Sequence, residues 1–134
     1  MIGLIKVLVF SDTMESILLL KGEVFSPPGG QINRAESINA SSSRIMAPLI
    51  GIDPTKQPFW YHIRTEIFQD VMVHVLYGKL SLDELLKIER FNREFVLLET
   101  KGICGRSDVA HRLRYLTPMA CTLDCLERHM WPRP

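Results

Sequence analysis

The hydrophobic positions in the C-terminal half of the chain recur at steps of three and four residues, the spacing of one face of an α-helix. This pattern predicts a first helix over residues 59–77, which Gly78 would end. It predicts a second helix over residues 82–100, where Ser81 and Glu84 have the spacing of a capping box. The region therefore reads as helical.

Two shorter helices are predicted nearer the C-terminus. Residues 107–114 form the third, and residues 117–130 form the fourth, which would begin with a Thr cap followed by Pro. Four helices around one core is the simplest architecture for residues 59–134. The expected fold class is mainly α, with a four-helix C-terminal core.

The first 25 residues have a different pattern, with two short apolar runs over residues 2–10 and 16–25 and a polar interruption at residues 11–13. The first run is rich in Ile and Val, which favours a β-strand. A strand pair or hairpin is the default interpretation, while the leucines of the second run also allow a short helix. Residues 1–25 are expected to form this N-terminal apolar or β segment.

Residues 26–58 are rich in Pro, Gly, Ser and Asn, a composition typical of a linker or a disordered segment. Ordering such a segment costs roughly 1 to 2 kcal/mol per residue, and we expect a partner surface to offset that cost. The segment is therefore predicted to be an extended arm. Its candidate partner-binding anchors are the apolar pairs Ile45 with Met46 and Leu49 with Ile50.

Aromatic residues supply further candidate contacts with other protein chains. The run Phe59, Trp60 and Tyr61 would fan around a helix, so all three side chains cannot face one core. Trp60 and Tyr61 are therefore candidate interface residues, because large aromatic side chains dominate many interfaces. Trp131, which precedes a proline, is a third candidate interface residue.

Residues 106–130 have the spacing of a helix-turn-helix, which gives an alternative hypothesis of a DNA-binding transcription regulator. The second helix, however, lacks the Arg, Lys, Asn or Gln side chains that read bases. The favoured interpretation is therefore that the two predicted helices pack together as part of the core and do not bind DNA. The residues that the alternative would use are Arg106, Arg112, Arg114, Thr117 and Thr122.

Composition narrows these possibilities only slightly. The chain has 134 residues and a net charge of +1, so its total charge indicates neither nucleic acid nor a strongly acidic partner. Three cysteines clustered near the C-terminus are not the layout of a disulfide scaffold, which favours an intracellular, reducing compartment. The N-terminal apolar run is too short for a membrane span, which needs about 20 apolar residues.

No catalytic or metal-binding motif stands out. Cys121, Cys125 and His129 lie on one predicted helix face, and the outer two are too far apart for all three to ligate one ion. A zinc site would need two neighbours among them together with Cys104 or His111, and the spacing lacks a paired Cys motif. The histidines have no nearby nucleophile motif, and no glycine-rich phosphate loop follows a strand. We expect no metal, no cofactor and no enzymatic activity.

These observations predict a small, non-catalytic interaction protein. Its partners would be other protein chains, either copies of itself or subunits of a larger assembly, and the extended arm would hold it there. DNA binding through residues 106–130 is the alternative.

Overall fold

The structure is a computed structural model that describes residues 1–130. These residues form one mixed sheet with helices on both of its faces. The strands are β1 (Ile2–Ser11), β2 (Ser16–Leu20), β3 (Gly29–Gln31), β4 (Tyr61–Phe68), β5 (Val71–Leu80) and β6 (Phe95–Glu99). The helices are α1 (Ile38–Ile50), α2 (Leu82–Phe91) and α3 (Leu113–Met130), with short 3-10 helices at Pro54–Lys56 and Thr100–Gly105.

The order of the strands is β4-β5-β1-β2-β6, and β3 pairs with the first half of β1. β1 runs parallel to β5 and antiparallel to β2 and β3. As the central strand it is covered on both faces, which explains why its sequence is an almost continuous apolar run rather than an alternating one.

A separate hydrophobic core lies on each face of the sheet. On one face, α1 and α2 bury Met46, Leu85 and Ile88 against the odd-numbered residues of β1. On the other face, α3 buries Leu113 and Leu116 against the even-numbered ones. The three-residue step between these two leucines puts both on the same side of the helix.

The prediction of a mainly α fold is wrong, because the sheet has six strands. Residues 59–77, predicted as one helix, contain β4 and most of β5, which pair antiparallel across a two-residue turn. The first residue of that turn, Gln69, has φ of +51°, as tight hairpin turns require. Val71 and Val75 are four residues apart, a step that suits a helix face and a strand face equally well.

The helices after Gly78 are only partly as predicted. α2 begins at Leu82 as expected, and Ser81 Oγ accepts a hydrogen bond from the Glu84 amide at 3.2 Å. It ends at Phe91 instead of residue 100, because β6 follows and pairs with β2.

The predicted third and fourth helices are also wrong, since α3 is a single helix that includes Thr117 and Pro118. Pro118 has no N–H to donate to the carbonyl of Arg114, four residues earlier. The thiol of Cys104 donates to that carbonyl instead, at 3.2 Å. No helix-turn-helix is present in residues 106–130.

The predicted extended arm is wrong as well, because residues 26–58 contain β3 and α1. Ser37 caps α1 by accepting a hydrogen bond from the Ala40 amide at 3.0 Å, and Gly51 ends it with φ of +66°. The helix packs on its own sheet through Met46 and Ile50, which are 0% and 5% exposed. This burial within its own chain offsets the cost of ordering the segment.

Candidate ligand-binding site

A pocket of about 240 Å³ lies between the sheet and the N-terminal end of α3. Its floor is formed by Val73 and Val75, which are two residues apart on β5 and therefore share a face. Lys6, which pairs with Val75 across the β1–β5 ladder, extends that floor. Leu113 and Leu116 of α3 form the opposite wall, so the interior is mostly apolar.

A further wall of the pocket is formed by two segments that main-chain hydrogen bonds hold together. Phe25 donates its N–H to the carbonyl of Asp108, and Ala110 donates its N–H to the carbonyl of Phe25, both at 2.7 Å. These hydrogen bonds place Ser26 and Pro27 beside Ala110, and all three line the pocket. The wall is thus set by main-chain pairing between residues far apart in the sequence.

The mouth of the pocket carries its charged and aromatic side chains. Arg112 forms an ion pair with Glu66, and its guanidinium carbon lies 4.0 Å from the centre of the Phe68 ring. The hydroxyl of Tyr115 donates to the other Glu66 oxygen at 3.2 Å. The side chain of Glu66 is 10% exposed and that of Arg112 is 42% exposed, so the guanidinium still reaches solvent.

Lys6 adds a second cation to this site. Its side chain is exposed, and it forms no ion pair within residues 1–130. With Arg112 and Glu66 it gives the pocket a formal charge of +1. An apolar interior with a cationic mouth suits a ligand that carries a flat apolar group and a negatively charged group.

The segment after the pocket wall leads into α1 through β3. A side chain at Gly29 would place its first carbon 2.0 Å from the carbonyl oxygen of Ile5, so only glycine fits there. Next along the chain, Arg44 donates to Glu36 at 2.9 Å and to the carbonyl of Gln31 at 2.8 Å. Hydrogen bonds from Arg44 and Ser41 lower the pKa of Glu36 to about 2. This ion pair fixes the loop between β3 and α1.

The donor set for a divalent cation is missing from this region. α1 contains no Asp, Glu, His or Cys, and Ile45 of that helix packs on Gly30. Nowhere in the described part of the chain do three such residues come together in a group that could hold a metal ion. Mg²⁺ and Ca²⁺ require oxygen ligands, mainly carboxylates, so the residues present do not fit either cation.

A pair of histidines lies on the α1 face of the hairpin between β4 and β5. His62 Nε2 and His74 Nδ1 each lie 2.8 Å from the hydroxyl of Thr65. Burial, and secondarily the nearby His62, lower the pKa of His74. Two histidines and one hydroxyl form a polar network but fall short of a closed metal site, which needs four ligands.

One buried carboxylate has a structural role. Asp124 of α3 is 1% exposed and pairs with Lys79 of β5 at 2.7 Å and with Arg128 at 2.8 Å. Burial, followed by the charge of Asp124, raises the pKa of Tyr77 to about 12. The ion pair between Asp124 and Lys79 connects α3 to β5, and neither residue lines the pocket.

The predicted partner-binding residues do not form one surface. Met46, Ile50 and Trp60 are buried in the core of their own chain, while Ile45 and Leu49 are half-buried against it. Tyr61 is half-buried and stacks on Tyr77, with ring centres 5.3 Å apart. Trp131 lies outside the described residues.

The residues named for DNA binding are also dispersed. Arg106 pairs with Asp108, Arg114 donates to the carbonyl of Arg106, and Arg112 lies at the pocket mouth. Thr117 is buried and Thr122 is exposed.

From the sequence, Arg112 was named only for the DNA-binding alternative, and Lys6, Glu66 and Phe68 were not singled out. Glu66 and Phe68 are two residues apart, so on a strand their side chains share one face, and this spacing was the signal that the sequence offered.

The fold is that of MutT and Nudix hydrolases. A mutT/nudix family protein from Listeria innocua is similar over 96% of this chain and 96% of its own, with a TM-score of 0.74 and 12% identity. The Ap4A hydrolase of C. elegans is similar over 91% and 97%, with a TM-score of 0.64 and 12% identity. Shewanella oneidensis NrtR is similar over 95% of this chain but only 65% of its own, with a TM-score of 0.77 and 13% identity. At these identities the likeness concerns the fold.

No family model and no curated protein matches the sequence. None of the described helices is both long enough and apolar enough to cross a membrane.

The fold neighbours correct the functional predictions. The hypothesis of a non-catalytic interaction protein and the expectation of no enzymatic activity are contradicted, because the solved structures that share this fold include a mutT/nudix family protein and an Ap4A hydrolase. The helix-turn-helix alternative is wrong too, since residues 113–130 form one helix. NrtR has been crystallised with a 27mer DNA, but the chain covers only 62% of the length of NrtR in that complex.

Proposed function

We propose that the protein is a Nudix-fold hydrolase that binds a nucleoside phosphate, or a closely related phosphorylated compound, in the pocket between the sheet and α3. The observation that carries the proposal is the pocket itself, which joins an apolar interior to a cationic mouth. The fold neighbours support the reaction class, because one of them is an Ap4A hydrolase.

The size of the pocket indicates which part of the ligand it would hold. Pockets for drug-sized ligands usually measure about 300 to 1,000 Å³. A volume of about 240 Å³ suits a single ring system rather than a whole nucleotide. The ring would lie on Val73 and Val75, and the phosphates would extend past the mouth, where Lys6 and Arg112 lie. Arginine suits this position because its planar fork matches phosphate oxygens.

Hydrolysis places a further demand on the site. Enzymes that transfer phosphoryl groups commonly use Mg²⁺ held by protein carboxylates. The donor set for such an ion is missing from α1 and from every described cluster. The proposal therefore assigns no catalytic step to a resident cation. It assigns ring binding to the pocket and charge neutralisation to Lys6 and Arg112.

Binding and hydrolysis can be tested separately. Calorimetry with adenosine, AMP and ADP would measure binding, and release of phosphate from ADP and Ap4A, with and without Mg²⁺, would measure turnover. The variant Ala110→Phe introduces a phenyl ring into the wall of the pocket and should abolish both. Ala40→Phe introduces the same ring at an exposed position of α1 and should change neither. Equal ligand binding by wild type and Ala110→Phe would refute the assignment of the pocket.

A further inference from the structure

We infer that Arg112 is the anion-binding residue of the pocket and that Glu66 competes with the ligand for it, so that Glu66 limits how much negative charge the site accepts. The inference rests on the proposed function, since it concerns how the same pocket selects among phosphorylated ligands. It concerns no metal and no catalytic step.

The position of Arg112 carries the first part of the inference. Its guanidinium lies against the ring of Phe68, and 42% of its side chain is exposed at the pocket mouth. Stacking on an aromatic ring fixes the guanidinium plane and leaves the N–H groups at its edge free to donate. An arginine held in this way loses little side-chain entropy when it binds a phosphate.

The position of Glu66 carries the second part. Its carboxylate is mostly buried, and it accepts from both Arg112 and the hydroxyl of Tyr115. An incoming phosphate would meet a guanidinium that already has an anionic partner, with that anion held close behind it. Like charges at short range oppose each other, so each added negative charge on the ligand is repelled by Glu66.

The balance of charges gives the inference a measurable form. Lys6 and Arg112 supply two positive charges and Glu66 removes one, which leaves +1 for the ligand. The site therefore attracts both a monophosphate and a diphosphate less strongly than two unpaired cations would, and the loss is larger for the diphosphate because it carries more negative charge. Replacing Glu66 with Gln keeps one acceptor oxygen for Arg112, turns an amide N–H toward the Tyr115 hydroxyl, which can accept from it, and removes the repulsion. The gain should be larger for ADP than for AMP.

A purely structural role is the competing explanation. The contacts of Glu66 with Arg112 and Tyr115 also connect β4 to α3, so they contribute to holding the two elements together. If this were their only role, Glu66→Gln would lower the melting temperature and leave the selectivity between AMP and ADP unchanged. Affinity ratios separate the two roles, since a loss of stability affects both ligands equally.

The test is calorimetry with adenosine, AMP, ADP and inorganic pyrophosphate. For Glu66→Gln we expect ADP to bind about tenfold more tightly, AMP to gain less, and adenosine to stay unchanged. For Arg112→Lys we expect ADP to bind about tenfold more weakly, because the ammonium loses the stacked, forked geometry. Asp108→Asn is the matched control: Asp108 also pairs with an arginine that lies over a phenylalanine ring, Phe25, but does not line the pocket.

The outcomes separate this inference from the proposed function. If wild type binds ADP and Glu66→Gln binds it with the same affinity, Glu66 does not compete and the inference fails alone. If neither adenosine nor ADP binds, the proposed ligand class is refuted. Pyrophosphate binding then tests the inference by itself, because Glu66→Gln must bind pyrophosphate more tightly than wild type. If no probe binds any variant, both are overturned.

Discussion

Truncating Met46 to Ala tests whether residues 26–58 are part of the folded core or an extended arm. Met46 lies in α1, is 0% exposed, and packs among the apolar residues between that helix and the sheet. If α1 is part of the core, the truncation must destabilise the whole protein. If the segment were an arm, the same change would leave the free energy of unfolding almost unchanged.

The expected magnitude follows from what the substitution removes. Loss of the Met side chain beyond its first carbon forfeits roughly 2 kcal/mol of transfer free energy, at about 0.8 kcal/mol per methylene-sized group. A residual cavity of about 50 Å³ would add roughly 1 kcal/mol at about 24 cal/mol per Å³. The total of about 3 kcal/mol lies within the usual range for Met to Ala in a core.

Equilibrium unfolding in urea measures this directly. The midpoint should fall while the slope of free energy against urea stays the same, since the surface exposed on unfolding is unchanged. Leu126→Ala is the control, because Leu126 of α3 is 49% exposed and its loss should cost under about 1 kcal/mol. A Met46→Ala protein within about 0.5 kcal/mol of wild type would refute the assignment of α1 to the core.

Three further perturbations test other parts of the fold. Gly78→Ala would place a carbon 2.4 Å from the ring of the buried Trp60, so we expect a loss of roughly 1 to 3 kcal/mol by urea unfolding. Asp124→Asn leaves Lys79 of β5 without its partner and should cost roughly 2 to 4 kcal/mol, since Lys79 is partly exposed. Glu36, whose pKa falls from 4.5 unfolded to about 2 folded, contributes stability above pH 4.5 that is lost as the pH falls toward 2. In Glu36→Gln that part of the acid dependence should disappear.

Each of these predictions has an outcome that contradicts it. A Gly78→Ala protein as stable as wild type would mean that the Trp60 ring does not lie over β5. For the buried carboxylate, Glu127→Gln on the same helix is the comparison, and equal effects of the two changes would argue against the ion pair with Lys79. For Glu36, parallel pH–stability curves of wild type and variant between pH 4.5 and 2 would count against the ion pair with Arg44.

The misassigned hairpin shows why periodicity was insufficient. Val71 and Val75 are spaced by four residues, which keeps them on one face in either a helix or a strand. The β-branched content of residues 71–75 favoured a strand. That signal was weak because β5 is buried on both faces, which hides the alternation expected of a half-buried strand.

The misassigned arm has a different physical cause. Residues 38–50 have few good helix formers and include Pro48, so their own propensity does not predict a helix. Ser37 and Gly51 provide the local signals at its ends. Its stability comes mainly from burying Met46 and Ile50 on the sheet, and most helical stability in proteins arises from such packing.

Local chemistry alone determined two features: the strand character of the two N-terminal apolar runs, of which the second is a strand only over Ser16–Leu20 instead of to residue 25, and the start of α2 at its Ser81 cap. Each depends on residues close together in the sequence. The pocket depends on tertiary structure, because Lys6, Glu66 and Arg112 come from β1, β4 and the turn before α3. Only the pairing of β1 with β5 and the docking of α3 on that face bring these charges together, and no local pattern encodes which distant strands become neighbours.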